Sequence, residues 1–391
     1  MRTSGVVELL LIAGLVVAAF VGFNIGGSST GVAFGPAVGS GSVSKTGAAA
    51  LMTFFALLGG ATVGTEVIDT MGGRIVPAEM FTLAASVTIL FFVGLALLVS
   101  NLFGVPASTS MTAVGAIAGL GVATSTIDWT VMGQIVSWWI VAPVMAFWVC
   151  AMIGRYLYPY LAARFTLESP GDERTLRERL GTALVVAIGC YMAFSAGASN
   201  VANAVAPLVG SGDLGLWQGV ALAGGAIGLG AFTIARRTLD TVGNDLTDLP
   251  ILAALIVETV SASIITLLSA LGIPASLAVS ATMCIVGLGW GRATRTTRLS
   301  DAATSAIKGT GERTEMSTGA LKAQPDPDAG GSAPDGGPDA VPKIGEEDPD
   351  RLTAEDLFDP ASTGRVVMLW ILTPTISAVS SYLVFNFLLV G

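Results

Sequence analysis

Phe34-Gly35-Pro36-Ala37-Val38-Gly39-Ser40-Gly41 and Val205-Ala206-Pro207-Leu208-Val209-Gly210-Ser211-Gly212 are the stretches on which the reading of this chain turns. They line up, with Pro, Val, Gly, Ser and Gly identical at five of the eight positions. At the same offset Ile68-Asp69-Thr70-Met71-Gly72 meets Leu239-Asp240-Thr241-Val242-Gly243, and further on Gly104-Val105-Pro106-Ala107-Ser108 meets Gly272-Ile273-Pro274-Ala275-Ser276. Three matches in the same order mark an internal duplication. Around them lie apolar runs near 5–25, 47–66, 80–102, 108–125 and 130–153, and again near 180–197, 215–235, 249–271, 275–291 and 365–390. Each run approaches the roughly 20 residues that cross a bilayer. Five spans per half is an odd number, so the second half enters the membrane in the opposite sense. Inverted repeats of this kind belong to secondary transporters, which hold substrate near mid-depth at interrupted helices.

Composition agrees with the bilayer as solvent. Hydrophobic residues make up 52% of the 391, and charged residues only 12%, too few to clothe so much apolar surface in water. The expected fold is all-α: a polytopic membrane protein of about ten transmembrane helices in two inverted five-helix repeats with broken or re-entrant helices. Repeat A covers 1–154, a linker 155–179, the first four spans of repeat B 180–291, an acidic insert 292–364, and the last helix 365–391. Gly5 to Phe23 is read as the first span and not as a leader, because no convincing cleavage site follows it.

Histidine is absent, which removes the commonest general base, metal ligand and proton shuttle. A metalloenzyme or a Ser/His hydrolase is thereby disfavoured, and no nucleophile–base pair stands out, so no enzyme and no catalytic residue is expected. Cys150, Cys190 and Cys284 sit inside apolar runs and read as small core residues. The tryptophans Trp129, Trp138, Trp139, Trp217, Trp290 and Trp370 cluster toward span ends and read as an interfacial belt.

Two polar segments interrupt the apolar pattern. Residues 155–179 carry Arg155, Arg164, Arg174, Arg177 and Arg179; residues 292–364 open with Arg292, Arg295 and Arg298 and continue rich in Pro, Gly and Asp, a composition that does not bury a core. Four spans separate the two, so they share one side, and the arginines near the helix ends make that side cytoplasmic in a plasma (cell) membrane. Both chain ends then lie outside.

Residues able to hold an anion recur at matched places. Phe23-Asn24-Ile25-Gly26-Gly27-Ser28-Ser29-Thr30-Gly31 pairs with Phe194-Ser195-Ala196-Gly197-Ala198-Ser199-Asn200-Val201-Ala202-Asn203. Each is expected to break its span and open a new helix, whose capping hydroxyls and free N–H groups attract an oxyanion. Pro106-Ala107-Ser108-Thr109-Ser110 and Pro274-Ala275-Ser276 supply a second pair of openings. The candidate anion ligands are Ser28, Ser29, Ser108, Thr109, Ser199, Asn200 and Ser276, all neutral and so able to let the ion go. Glu258, inside the eighth span, is costly there and functional by default; with Asn203 it is the candidate for a coupling ion. No cofactor and no metal are called for beyond sodium or a proton as coupling ion. The bland alternative is that these small residues only let helices pack closely.

At these motifs the chain resembles the inorganic phosphate transporter (PiT) family of cation-coupled carriers. That family repeats Gly-Ala-Asn-Asp-x-Ala-Asn, then a Gly-Thr-Ala-Val-Gly-Ser or Gly-Pro variant, and a Gly-Leu-Pro-x-Ser-Thr-Thr-His motif. The stretch Phe194 to Pro207 resembles the second signature, Gly26 to Ser40 the first, and Gly104 to Gly119 the first proline motif. Glu258 falls at the family's Ala-Glu-Phe step. The family's Asn-Asp is Ser28-Ser29 here and Ser199-Asn200 in the second half; its later asparagine is Val32 but remains Asn203; its histidines are Met111 and Val279; a glutamate of its second span is Ala56. The resemblance implies a secondary carrier of phosphate working by alternating access with sodium or protons. The departures leave sulfate or a related oxyanion as a rival substrate. A passive anion channel or a non-transporting membrane sensor is the reading from another class. Partners are the anion and the lipid bilayer, no nucleic acid is implied, and a homo-oligomer is left open.

Overall fold

The computed structural model describes residues 2–102, 108–164, 176–235, 250–296 and 360–390, and these are helical throughout, joined by turns. In chain order the helices are α1 (Arg2–Gly39), α2 (Lys45–Thr62), α3 (Gly64–Asp69), α4 (Leu83–Leu102), α5 (Thr109–Ala123), α6 (Trp129–Met152), α7 (Tyr158–Arg164), α8 (Leu176–Gly210), α9 (Leu216–Thr233), α10 (Ile251–Ala270), α11 (Leu277–Ala293) and α12 (Pro360–Val390). Among the described residues five helical stretches are long and apolar enough to cross a membrane, or six if the bent pair α2–α3 counts as one. Large apolar side chains such as Leu9, Ile12, Val16, Phe54, Phe91 and Ile140 stand exposed on their outer faces. A water-soluble surface rarely carries so many; hydrocarbon is their natural contact. This is a multi-pass membrane protein.

The duplication is visible in local structure. α1 and α8 each carry a proline three residues before the terminal glycine, Pro36 before Gly39 and Pro207 before Gly210. Each turn then reverses through a left-handed glycine, Gly41 (φ 69°) and Gly212 (φ 78°), a conformation that other residues adopt only at a cost. Val43 N–H donates back to Ala37 O (3.0 Å) and Leu214 N–H to Leu208 O (3.1 Å). An 18-residue helix follows in both halves.

Packing ties the halves together by exchange. α1 packs along α9 and α2 along α8; α5 packs on α12 and α11 on α6. The contacts are equivalent in pairs: a Cβ at Gly26 would overlap the Ile227 carbonyl, and one at Gly197 the Ala56 carbonyl. Gly115 and Gly119 seat α5 on the carbonyls of Pro374 and Ala378, while Gly287 and Gly291 seat α11 on those of Phe147 and Ala151. α1 and α8 themselves run antiparallel, since Gly14 lies against Leu208 at one end and Gly189 against Phe34 at the other.

Several expectations need correction. The segments 26–46 and 198–214 do not break their spans: α1 continues unbroken to Gly39 and α8 to Gly210. In α1 the hydroxyls bond within the helix, Ser28 Oγ to Asn24 O (3.2 Å) and Thr30 Oγ1 to Gly26 O (2.6 Å), as serine and threonine do when a helix persists. Their glycines serve close packing. The break lies instead between α2 and α3, which meet at 62°. Arg155 is not in a loop: α6 runs on through a π-turn at Ile153–Leu157 into α7, and α8 has begun by Leu176. Arg292 and Arg295 lie at the end of α11 and in the 3₁₀ turn Thr294–Thr296, both buried. Arg295 donates to Arg155 O (2.9 Å) and Arg155 to Thr294 O. α12 starts at Pro360, inside the expected insert. Trp370 is buried and no belt residue, whereas Trp129 and Trp217 are exposed. Pro106, Ala107, Arg174, Arg236, Arg237, Asp240 and most of the acidic insert lie outside the described residues.

Candidate functional site: two capped helix starts and a neutral polar cluster

The helices α5 and α11 begin alike. Ser108 and Ser276 are extended (φ −78°, ψ 103° and φ −96°, ψ 115°), and their hydroxyls accept from Met111 N–H (3.3 Å) and Val279 N–H (3.4 Å). A serine cap of this kind satisfies one of the N–H groups that a helix start leaves open, and is worth about 1 kcal/mol. Met111 and Val279, which stand where the related motif has its histidines, are buried together with Trp370, and Trp139 packs against them. Trp139 Nε1 donates to Pro274 O (2.8 Å). One helix start from each half is thus brought to the same place.

Beside them α8 contributes a buried neutral cluster. Asn203 Nδ2 donates to Ser110 Oγ (3.0 Å) and to Asn200 Oδ1 (3.1 Å). Ser110 Oγ and Ser199 Oγ share a hydrogen bond (3.3 Å), and Ser199 donates to the Ala275 carbonyl (2.8 Å) at the start of α11. Asn200 Nδ2 is held by Ala196 O (2.9 Å) within its own helix. All four side chains are at least nine-tenths buried. A buried polar group that loses its partner costs about 1–3 kcal/mol, so this network fixes α8 to both capped starts. Asn203 Oδ1 has no hydrogen-bond partner.

Of the residues expected to hold an anion, Ser108, Ser199, Asn200 and Ser276 are buried and joined through this network, with Asn203 beside them. Ser28 is not: its side chain is exposed and bonds back to Asn24 O and Ile25 O. Ser29 and Thr109 are half-buried. Glu258 is buried on α10 with Oε1 lacking a partner, and the hydrogen bonds of the cluster do not reach it. Sequence reasoning missed Ser110, which stood in the quoted motif but was passed over for its neighbours. It also missed Ser195, whose hydroxyl ties α8 to Ala262 O of α10 (3.0 Å). Ser195 lies one helical turn before Ser199, so the helical period was the available signal for it; Ser110 directly follows Thr109.

This fold and these motifs have counterparts among known proteins. The model of the phosphate transporter family matches residues 25–381. The chain belongs to the phosphate transporter family. Among curated relatives, sulfate permease CysP of Bacillus subtilis (strain 168) is 33% identical, over 71% of this chain and 77% of that one. A putative phosphate permease of Helicobacter pylori (strain J99) is 26% identical, over 72% of this chain and 68% of its own length. Among solved structures, the sodium-dependent phosphate transporter superposes with a TM-score of 0.69, covering 98% of this chain and 99% of the other at 18% identity. That likeness carries the all-helical transporter fold across nearly the whole of this phosphate transporter family member.

Proposed function

We propose that the chain is a secondary carrier of inorganic phosphate working by alternating access. The observation that carries this reading is the meeting of two serine-capped helix starts, one from each half, beside a buried cluster of uncharged donors. Helix starts present N–H groups and the positive end of the helix dipole to an anion. The absence of a fixed cation in the cluster favours release, since a lysine or arginine at low dielectric would hold a dianion far more strongly.

In this reading ten spans form two inverted halves in the plasma membrane, with 165–175 and 297–359 on the cytoplasmic side. The buried Arg155, Arg292 and Arg295 mark that side by the excess of positive charge that cytoplasmic ends carry. Ser108, Ser199, Asn200, Ser276 and the added Ser110 face the anion; Thr109 follows Ser108 at its margin. Asn203 Oδ1 and Glu258 Oε1, the partnerless oxygens of the two residues assigned to coupling, receive sodium; if the coupling ion is a proton, Glu258 alone takes it. No catalytic residue and no resident cofactor enter the scheme.

A second reading, sulfate, is favoured by one observation: the cluster's side chains are serines and asparagines. Sulfate carries no proton and asks only for donors, which these uncharged side chains supply without a carboxylate to take a proton from hydrogen phosphate. The sulfate permease relative stands on the same side. Uptake of labelled phosphate and labelled sulfate by proteoliposomes, with sodium and pH gradients imposed separately, decides between them and names the coupling ion. Ser108→Ala and Asn200→Ala should each weaken uptake several-fold with folding intact. Unchanged uptake in both removes the site, and a lack of accumulation against a gradient removes the carrier in favour of a channel.

A further inference from the structure

The hydrogen bonds of the buried cluster have a fixed direction, and that direction limits what the empty site can offer. Asn200 Nδ2 donates to Ala196 O (2.9 Å), which turns its Oδ1 toward Asn203. Asn203 Nδ2 therefore gives one N–H to Asn200 Oδ1 (3.1 Å) and the other to Ser110 Oγ (3.0 Å). Ser199 Oγ gives its proton to the Ala275 carbonyl (2.8 Å), which can only accept. A hydroxyl has a single proton to donate, so in the 3.3 Å pair it is Ser110 that donates to Ser199. The chain runs one way, from Asn203 to Ser110 to Ser199 to Ala275 O. The polar side-chain protons of Ser110, Ser199 and Asn203 are all spent inside the protein. The caps differ: Ser108 and Ser276 accept from Met111 N–H and Val279 N–H and spend no proton in doing so.

We propose that the Ser199–Ala275 bond is a latch, which holds the start of α11 on α8 while the site is empty and which a bound oxyanion releases. The inference rests on the oxyanion reading of the cluster. First contact with the anion falls to the two cap hydroxyls and to the second N–H of Asn200. Ser199 and Ser110 join only by turning their protons from protein acceptors to the anion. That exchange is favourable, because a hydrogen bond to an ionised acceptor is about twice as strong as one between neutral groups. It strips the carbonyl of Ala275, a buried residue, of its donor. A buried acceptor without a partner is costly, so the approach to α11 shifts off α8. Its other anchors lie on α6. Trp139 Nε1 holds the neighbouring Pro274 carbonyl (2.8 Å), and Gly287 and Gly291 seat α11 on the carbonyls of Phe147 and Ala151. α11 therefore stays with α6, and the contact that loosens is the one with α8. Ser199 acts here as a positioning residue: one proton reports the occupancy of the site to a helix of the second half.

The test is hydrogen–deuterium exchange on the intact chain in nanodiscs, with and without saturating phosphate or sulfate, at constant pH. The reporters are the amides of Leu271, Gly272 and Ile273, which bond back to Leu267 O, Leu268 O and Ser269 O at the end of α10. They precede the α11 start and donate nothing to the anion. The transported ion lowers their protection about fivefold, the worth of one neutral buried hydrogen bond. Ser199→Ala shows the lowered protection without any anion, and adding the anion changes it no further. The wild-type comparison needs no variant, so it stands even where Ser199→Ala does not fold. Protection at 271–273 that holds or rises when the transported ion binds the wild type overturns the latch and leaves the carrier reading in place. A folded Ser199→Ala chain with the protection of the empty wild type overturns it too. Failure of both ions to be taken up by proteoliposomes overturns the carrier reading on which the latch rests.

Discussion

Asn203 and Val32 occupy the same place in the two halves, as do Ser199 and Ser28, and Asn200 and Ser29. Only the second set is knitted into a buried network; Ser28 and Val32 stand exposed. The buried cluster is therefore built mostly by one half, with the other giving Ser108 and Ser110. Ser110→Ala removes the acceptor for Asn203 Nδ2 and the partner of Ser199. Two neutral buried hydrogen bonds at about 1 kcal/mol each make the half-saturating anion concentration rise roughly five- to thirtyfold, read by concentration-dependent uptake, with expression unchanged. The candidates were legible as a set of hydroxyl and amide residues at matched spacings. Which of them face inward was not, because a helix that runs on places every fourth residue on one side, and the expected break hid that period. Glu258 was legible from its cost alone: an acid amid apolar residues.

At the scale of the element, glycines decide more than serines. Gly26 and Gly197 each let a helix backbone lie directly on a neighbour's carbonyl. Gly26→Ala and Gly197→Ala force those helices apart and each costs about 1–3 kcal/mol by overpacking. A thermal-shift assay in detergent should show two similar losses, as the repeat relation requires. Another element start answers to pH. Asp128 caps α6 by accepting from Thr130 N–H (2.8 Å) and Val131 N–H (3.1 Å). Those backbone bonds, Val131 first and then Thr130, hold its carboxyl below the ordinary aspartate value. A carboxyl lowered in the folded state stabilises it fully above its unfolded value and loses that contribution as pH falls through the folded one. Protection of the Thr130 and Val131 amides, relative to their intrinsic exchange rates, should therefore fall as pH drops below about 4, and Asp128→Asn should abolish the dependence. Helix existence and type were legible from apolar runs of the right length. The ends were not: the run at 130–153 continues to Ala163, because Arg155 is buried against Thr294 and the ring of Tyr156, contacts that no local pattern announces.

At the scale of the molecule, the duplication was legible from three short matches, but the exchange of partners was not. Sequence order places α5 beside α6 in one half, yet α5 is seated on α12 and α6 on α11. Each half alone lacks the surface its own helices need. A chain opened between residues 165 and 175 and made as two co-expressed pieces should assemble and transport, while either piece alone should be degraded; immunoblots of membranes and anion uptake read both outcomes. Good accumulation of the first piece by itself would contradict the exchanged packing. The same exchange sets a timetable. About 240 residues separate the end of α5 from the start of α12, so at bacterial or eukaryotic rates of synthesis the ribosome needs roughly ten to fifty seconds to deliver the missing partner. Through that interval Gly115 and Gly119 face lipid or the insertion machinery with their carbonyl seats not yet made, and whatever shields that notch governs how much of the newborn protein survives.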